Sequence, residues 1–300
     1  MTLPASPYEL TVNAGGGMRS VARQLVADGV LAEDETMWIL ARVTGRGRSI
    51  RAGTYRFETG ITPLDLIDKL ERGEGMLEEL LFVEGSTLRQ WLAQMAAQPR
   101  LKQTLAGKGE EEIRALVGES EPLEGWLFPD KYRYAPGTTD LDILKRAHAA
   151  MKKRLAEAWE GRAPDLVIQT PYEALVMASI VEKETGQGAE RPLVASVFEN
   201  RLKRGMKLQT DPTVIYGLGD RYDGKIHTRD LVTDTPWNTY TRDGLPPTAI
   251  AMPGVAAIRA ALHPADTHYL YFVARGDGTH VFSTSLEEHN RAVAKYQLGK

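Results

Sequence analysis

"TPYEALVMASIVEKET", residues 170–185, decides how the rest of this chain is read. Thr170 suits an N-cap, Pro171 the first helical position, and Glu173 the reciprocal partner of a capping box. From Ala174 to Val181 every position is apolar or small, so the helix is predicted to lie inside the protein. It then ends in Glu182-Lys183-Glu184. Leu175, Ala178, Ser179 and Glu182 share one helical stripe, and Glu184 faces a different side. A carboxyl beside a buried stripe loses hydration, which disfavours its charged form and raises its pKa. A general acid working near neutral pH needs such a carboxyl. The competing reading is a solvated glutamate, or one paired with a nearby Lys or Arg.

The next 60 or so residues shift the weight. "ENRLKRG", "LQTDPTVIYG", "WNTYT" and "GLPP" supply Asn200, Gln209, Thr210, Asp211, Tyr216, Asn238, Tyr240 and Thr241. Amides and hydroxyls suit the hydroxyls of a sugar chain, and aromatic faces suit its C–H faces. Glu182 is read as the catalytic acid. Glu184, Asn200, Gln209, Thr210, Asp211, Tyr216, Asn238 and Tyr240 are read as substrate-binding. Asp211 reads first as the N-cap of a helix over 211–217 and second as a site residue. Tyr216 and Trp237 suit core and cleft equally. Asn238 and Tyr240 stand in a long irregular stretch (227–254), where a cleft role is the better reading.

Bulk properties set outer bounds. The chain has 300 residues, enough for one large domain or two unequal ones. Its 37 Lys plus Arg against 40 Asp plus Glu leave a net charge of −3, which argues against nucleic acid as the main partner. With no cysteine, disulfides and thiolate metal sites are excluded. The six histidines show no metal-type spacing, so no metal is expected. No GxSxG elbow, SxxK pair or Walker motif occurs. "AGGG" (14–17) is a glycine-rich turn without the fingerprint spacings of a phosphate loop. No apolar run reaches the length of a membrane span, and no signal peptide is visible.

Working outward, "YELTV" (8–12) and "GTYRF" (53–57) read as strands. Two helices lie between them, over 18–28 and 33–42, and a third helix is capped by Thr62. A strand over 77–83 runs into a helix capped near Ser86. "GKGEEE" (107–112) reads as a polar interruption and 122–139 as a shaped loop with a short strand. Helices follow over 140–159, from Pro192 to before Gly205, and from Pro253. A hairpin around "GDG" and a terminal helix capped at Thr284 or Ser285 close the chain.

Several ordered motifs together resemble the MltG (YceG-like) family of endolytic murein transglycosylases. They are "ASIVEKET", "ERPLVASVFENRLKRGMKLQTDPTVIYGLG", "NTYTRDGLPPTAIAMPG", "HPADTHYLYFV" and, earlier, "LEGWLFPDKYRY" (123–134). The match runs from about residue 80 to the C-terminus, and the N-terminal part is similar to the family's LysM-like module. Two positions depart from the pattern: Lys131 stands where "PDTY" has Thr, and Thr248 where Gly is common.

The resemblance implies an α+β fold, with a LysM-like βααβ module over 1–78 and a catalytic domain over 79–300. It implies cleavage of peptidoglycan strands between N-acetylmuramic acid and N-acetylglucosamine, within the strand, to 1,6-anhydro ends. One glutamate is essential, corresponding by motif position to Glu182, and no cofactor is needed. It also implies anchoring in the cytoplasmic membrane by an N-terminal helix preceding Met1. The enzyme would face the periplasm or exterior, near the peptidoglycan synthases. Two other classes stay open. One is a peptidoglycan-binding division scaffold. The other is a true hydrolase, which needs a second carboxylate near Glu182, with Glu184, Glu190 and Asp211 as candidates.

Overall fold

The computed structural model describes residues 1, 3–13 and 15–299. Ala14, the first residue of the expected AGGG turn, lies outside the described residues. The elements run in the order β1 (Tyr8–Val12), α1 (Met18–Ala27), α2 (Asp34–Val43), β2 (Gly53–Phe57), α3 (Pro63–Arg72), β3 (Glu78–Leu81), α4 (Leu88–Ala96), α5 (Glu110–Val117) and β4 (Lys131–Tyr134). Then follow α6 (Asp140–Glu160), α7 (Pro171–Glu184), α8 (Arg191–Lys203), α9 (Asp211–Leu218), α10 (Thr228–Val232), α11 (Val255–Leu262), β5 (Tyr271–Ala274), β6 (His280–Ser283) and α12 (Leu286–Tyr296). The sheets are small and two-stranded, β1–β2, β3–β4 and β5–β6, so the fold is α+β with helices dominant.

Two compact units form. The first holds Met1–Leu80 with 98–103 and 132–139; the second holds the remainder. In the first, β1 and β2 pair antiparallel, with Leu10 opposite Tyr55 and Tyr8 opposite Phe57. The alternation of β1 puts Tyr8, Leu10 and Val12 inward, where Leu25, Leu66, Ile67 and Leu70 complete a core. α3 starts on a capping box, with Thr62 Oγ1 accepting the Asp65 N–H at 3.2 Å. Arg100 binds Glu9 at 3.0 Å, which ties the 98–103 segment to this unit.

The second unit is organised around α7. Ala174 to Val181 are all buried, and α6, α8, α9 and α11 pack about the helix. Its start carries the expected capping box: Glu173 N–H donates to Thr170 Oγ1 at 3.2 Å, and Thr170 N–H to Glu173 Oε2 at 3.1 Å. Small residues on one stripe let an extended segment lie against it. Ser179 is fully buried, and its hydroxyl accepts the Ile250 N–H at 3.0 Å. Ala249 to Gly254 all bury along this line.

Three local readings need correction. The 107–112 interruption leads into α5, whose first turn carries Glu110, Glu111 and Glu112 beside the positive helix end. The 227–254 stretch includes the short helix α10. In α9, Asp211 is the first helical residue rather than the cap, and Thr210 occupies the N-cap position.

Candidate active site

The end of α7 divides two environments, because residues two apart point to opposite sides of a helix. Glu182 continues the Ser179 stripe. Its Oε2 accepts the Gly254 N–H at 3.0 Å, and Gly254 is the N-cap of α11. Its Oε1 accepts from Arg191 Nη2, also at 3.0 Å, with the side chain only 6% exposed. The carboxylate therefore pins the 249–254 segment and holds the positive end of α11, where a negative charge is favoured. Glu84 lies beside it: a Cβ built on Gly254 would overlap the Glu84 carboxylate. Burial and the Glu182 charge push Glu84 up from its ordinary value.

The sequence reading of Glu182 as the acid expected a dry carboxyl aimed into a groove; here both of its oxygens accept from donors, one of them a guanidinium, the arrangement that the paired alternative describes.

Glu184, the last residue of α7, lines a cleft of about 420 Å³ together with Arg201, Gln209, Asp211, Tyr240, Tyr271 and His280. Burial pushes its carboxyl up to about 7. The Thr210 hydroxyl bond pulls it down, and the Asp211 charge adds to the rise. Thr210 is itself held by buried hydroxyls: its N–H donates to Thr239 Oγ1 at 3.1 Å, and Thr239 bonds Thr213 at 2.8 Å. Tyr240 donates its O–H to Asp211 Oδ1 at 2.6 Å, with its phenol pushed upward by burial and by that bond. Tyr271 stacks on His289 at 5.2 Å, so the cleft offers a flat ring as well as polar groups. Burial, with the Arg201 charge, lowers the His289 ring, favouring its neutral form.

The other expected site residues have different roles. Asn238 is fully buried. Its Nδ2 donates to the carbonyls of Asp230, Leu231 and Thr233, and its Oδ1 accepts the Tyr240 N–H at 2.8 Å. It shapes the loop that carries Tyr240 and has no surface left for a substrate. Asn200 donates to the carbonyls of Thr267 and Tyr269 at 2.9 and 3.0 Å, joining α8 to the segment before β5. Tyr216 lines a second cavity and donates to the buried Glu124 at 3.0 Å. Trp237 packs on Tyr216 and donates to Thr248 Oγ1 at 2.8 Å, which gives that unusual threonine a structural use. Glu190, one of the candidate second carboxylates, pairs with His280 at 2.7 Å.

Of the expected residues, the fold thus gathers Glu184, Gln209, Thr210, Asp211 and Tyr240. Sequence reasoning missed Arg201, Tyr271, His280 and His289. Arg201 had a findable signal: it follows Val194 and Phe198 at helical spacing, a charge on a buried stripe. Tyr271, His280 and His289 come from the hairpin and α12, and nothing local marks them. Among the described residues no cluster of metal-ligating side chains occurs.

The model of the YceG-like family matches residues 10–295. The endolytic murein transglycosylase of Bacillus subtilis strain 168 is 33% identical, over 97% of this chain and 85% of that protein. The protein of that name from Streptococcus pneumoniae strain D39 is 30% identical over 84% of this chain, which spans about half (51%) of its length. A crystal structure of a yceG-like protein from Listeria monocytogenes superposes with a TM-score of 0.59 at 28% identity, covering 95% of this chain and 98% of that one.

Proposed function

We propose, from the premise that this chain belongs to the YceG-like family, that it is an endolytic murein transglycosylase whose general acid is Glu184. The observation that carries the assignment is the carboxyl held up to about 7 on the wall of a polar cleft with aromatic faces. Protonated Glu184 gives its proton to the oxygen between N-acetylmuramic acid and N-acetylglucosamine as the C1–O bond breaks. The resulting carboxylate takes the proton of the same sugar's C6 hydroxyl, and that oxygen bonds C1. The acid returns to its starting form, the new end is a 1,6-anhydro ring, and no water is consumed. Tyr240 and Gln209 line the same cleft, and a carboxylate beside the oxocarbenium-like centre is favourable.

Asp211 supports a second reading. It lines the same cleft as Glu184, and hydrolysis needs two carboxylates. Product masses separate the two. Wild-type protein acting on uncrosslinked glycan is expected to release anhydro-ended fragments. Fragments heavier by one water would favour hydrolysis, and binding without any product would favour a scaffold role.

We further read residues 1–78 as a LysM-like module and 79–300 as the catalytic domain, a division by chain order that leaves 98–103 and 132–139, packed in the first compact unit, with the second. The substrate is an extracellular polymer. The protein is therefore placed at the outer face of the cytoplasmic membrane, held by a helix preceding this sequence and working beside the peptidoglycan synthases. Among the described residues no helix is long and apolar enough to cross a membrane. Protease accessibility in spheroplasts, with the natural gene, tests the placement; full protection of the catalytic unit from external protease would defeat it.

A further inference from the structure

Gln209 has a backbone conformation that L side chains rarely adopt, with φ 49°. Asp165 is the only other non-glycine residue of positive φ among the described residues. A glycine would make this turn without strain, so the surroundings must hold the glutamine in place. Its N–H donates to Thr239 O at 3.1 Å. Its side chain meets Arg201, whose Nη1 donates to Gln209 Oε1 at 3.2 Å. Arg201 is itself fixed: it is buried, its Nε donates to Leu270 O at 2.6 Å, and its Nη1 also reaches the carbonyls of Lys207 and Leu208.

A guanidinium only donates, so it selects the carbonyl end of the amide. The Gln209 Nε2 must then be turned away from Arg201, and it makes no hydrogen bond among the described residues. An oriented, unpaired N–H₂ donor thus stands on the wall of the cleft that carries Glu184. The next residue, Thr210, bonds the acid directly.

We infer that Gln209 is a specificity-determining residue, whose amide N–H donates to the acetamido carbonyl of the sugar being cut. The inference rests on the proposed cleavage at Glu184. In 2-acetamido sugars the acetamido group is on C2, next to the C1 whose bond breaks. A donor one residue from the partner of the acid is suitably placed to read it. A sugar with a free amine offers no carbonyl, and near neutral pH it brings an ammonium toward a donor backed by a guanidinium.

The test measures binding and cleavage separately. Titration calorimetry uses the Glu184→Gln protein, with and without Gln209→Glu or Gln209→Gly, against murein glycan oligosaccharides and their de-N-acetylated counterparts. Glu keeps the shape and the Arg201 contact but lacks the donor; Gly removes the strain as well as the side chain. Glu184→Gln alone is expected to bind the acetylated chain roughly 3–10-fold more tightly, as the net worth of one hydrogen bond implies. Both double variants should lose most of that preference; in the Gly variant affinity for the de-N-acetylated chain should stay within about threefold, whereas the carboxylate of the Glu variant should raise it by attracting the ammonium. The thermal midpoint of Gln209→Gly should be no lower than that of its parent. Equal binding of the two glycans by Glu184→Gln, or an equal loss on both in the double variants, overturns the inference. If the preference is found but wild-type protein cleaves neither glycan, the cleavage reading fails and the Gln209 role stands. Binding to neither overturns both.

Discussion

Glu182 and Glu184 are the same residue type, two positions apart on one helix, and they meet different surroundings. On one side of α7 the carboxylate meets Arg191 and the Gly254 N–H, in contact with a close-packed segment. On the other, the carboxyl bonds the buried Thr210 hydroxyl and lines a cleft with Asp211, and it is held up to about 7. The difference lies in what each group faces. Charged and amide donors make Glu182 a bracket, whereas burial beside Asp211 raises the proton affinity of Glu184.

The sharpest break of this comparison is reciprocal substitution. Glu184→Gln should lower turnover by about 10²–10⁴-fold, the usual worth of a general acid. Glu182→Gln should keep turnover within about tenfold, on the same assay of anhydro ends. A dead Glu182→Gln protein that retains its fold, beside an active Glu184→Gln protein, would restore the reading drawn from the sequence stripe.

Next in size is the bracket itself. Arg191→Ala leaves Glu182 inside without its cation and should cost about 3–5 kcal/mol in denaturant unfolding. A loss well under 1 kcal/mol would show that water reaches the pair freely.

A third carboxylate provides a control away from the cleft. Glu124 is 4% exposed and accepts the Leu88 N–H at 3.0 Å, and burial pushes it up to about 8. Its folded pKa stands above its unfolded one, so the folded state binds the extra proton. Stability then falls as pH rises from about 4.5 toward 8. Glu124→Gln should remove a penalty on the order of a few kcal/mol at pH 9 and little at pH 4. Glu119 runs the other way: burial raises it, but its bonds to His148 and to two backbone N–H groups prevail, and it lies at about 2. Its contribution is present above the ordinary carboxylate range and is lost as pH falls toward 2.

The finest test tunes Glu184 without removing it. Activity should decline as pH rises through about 7, because the acid form is lost. Thr210→Val removes a bond that favours the charged form, so the alkaline limb should move up by roughly one unit. Asp211→Asn removes a like charge, so the limb should move down by a similar or smaller amount. Unmoved limbs in both variants would place the titrating group elsewhere.

The regularities of single elements could be read along the chain. Thr170, Pro171 and Glu173 announced the start of α7, and its unbroken apolar run announced its burial. Alternation in Tyr8–Val12 announced the inward face of a strand, and glycines, prolines and caps marked most helix ends. These features depend on neighbours within about four residues, so local sequence determined them. What each polar group faces is another matter. Glu182 meets Gly254 and Arg191, Glu184 meets Thr210 and Asp211, Gln209 is oriented by Arg201, and Asn238 turns inward to three loop carbonyls. Those partners come from segments brought together only when α7, α8, α9, α11 and the hairpin pack. A carboxyl's proton affinity depends on the charges, donors and water within a few ångströms of it, and helical periodicity says which way a side chain points but not what awaits it there. The sequence alone therefore determined that α7 would deliver carboxylates from a dry helix, while the tertiary structure decided which partners each of the two meets.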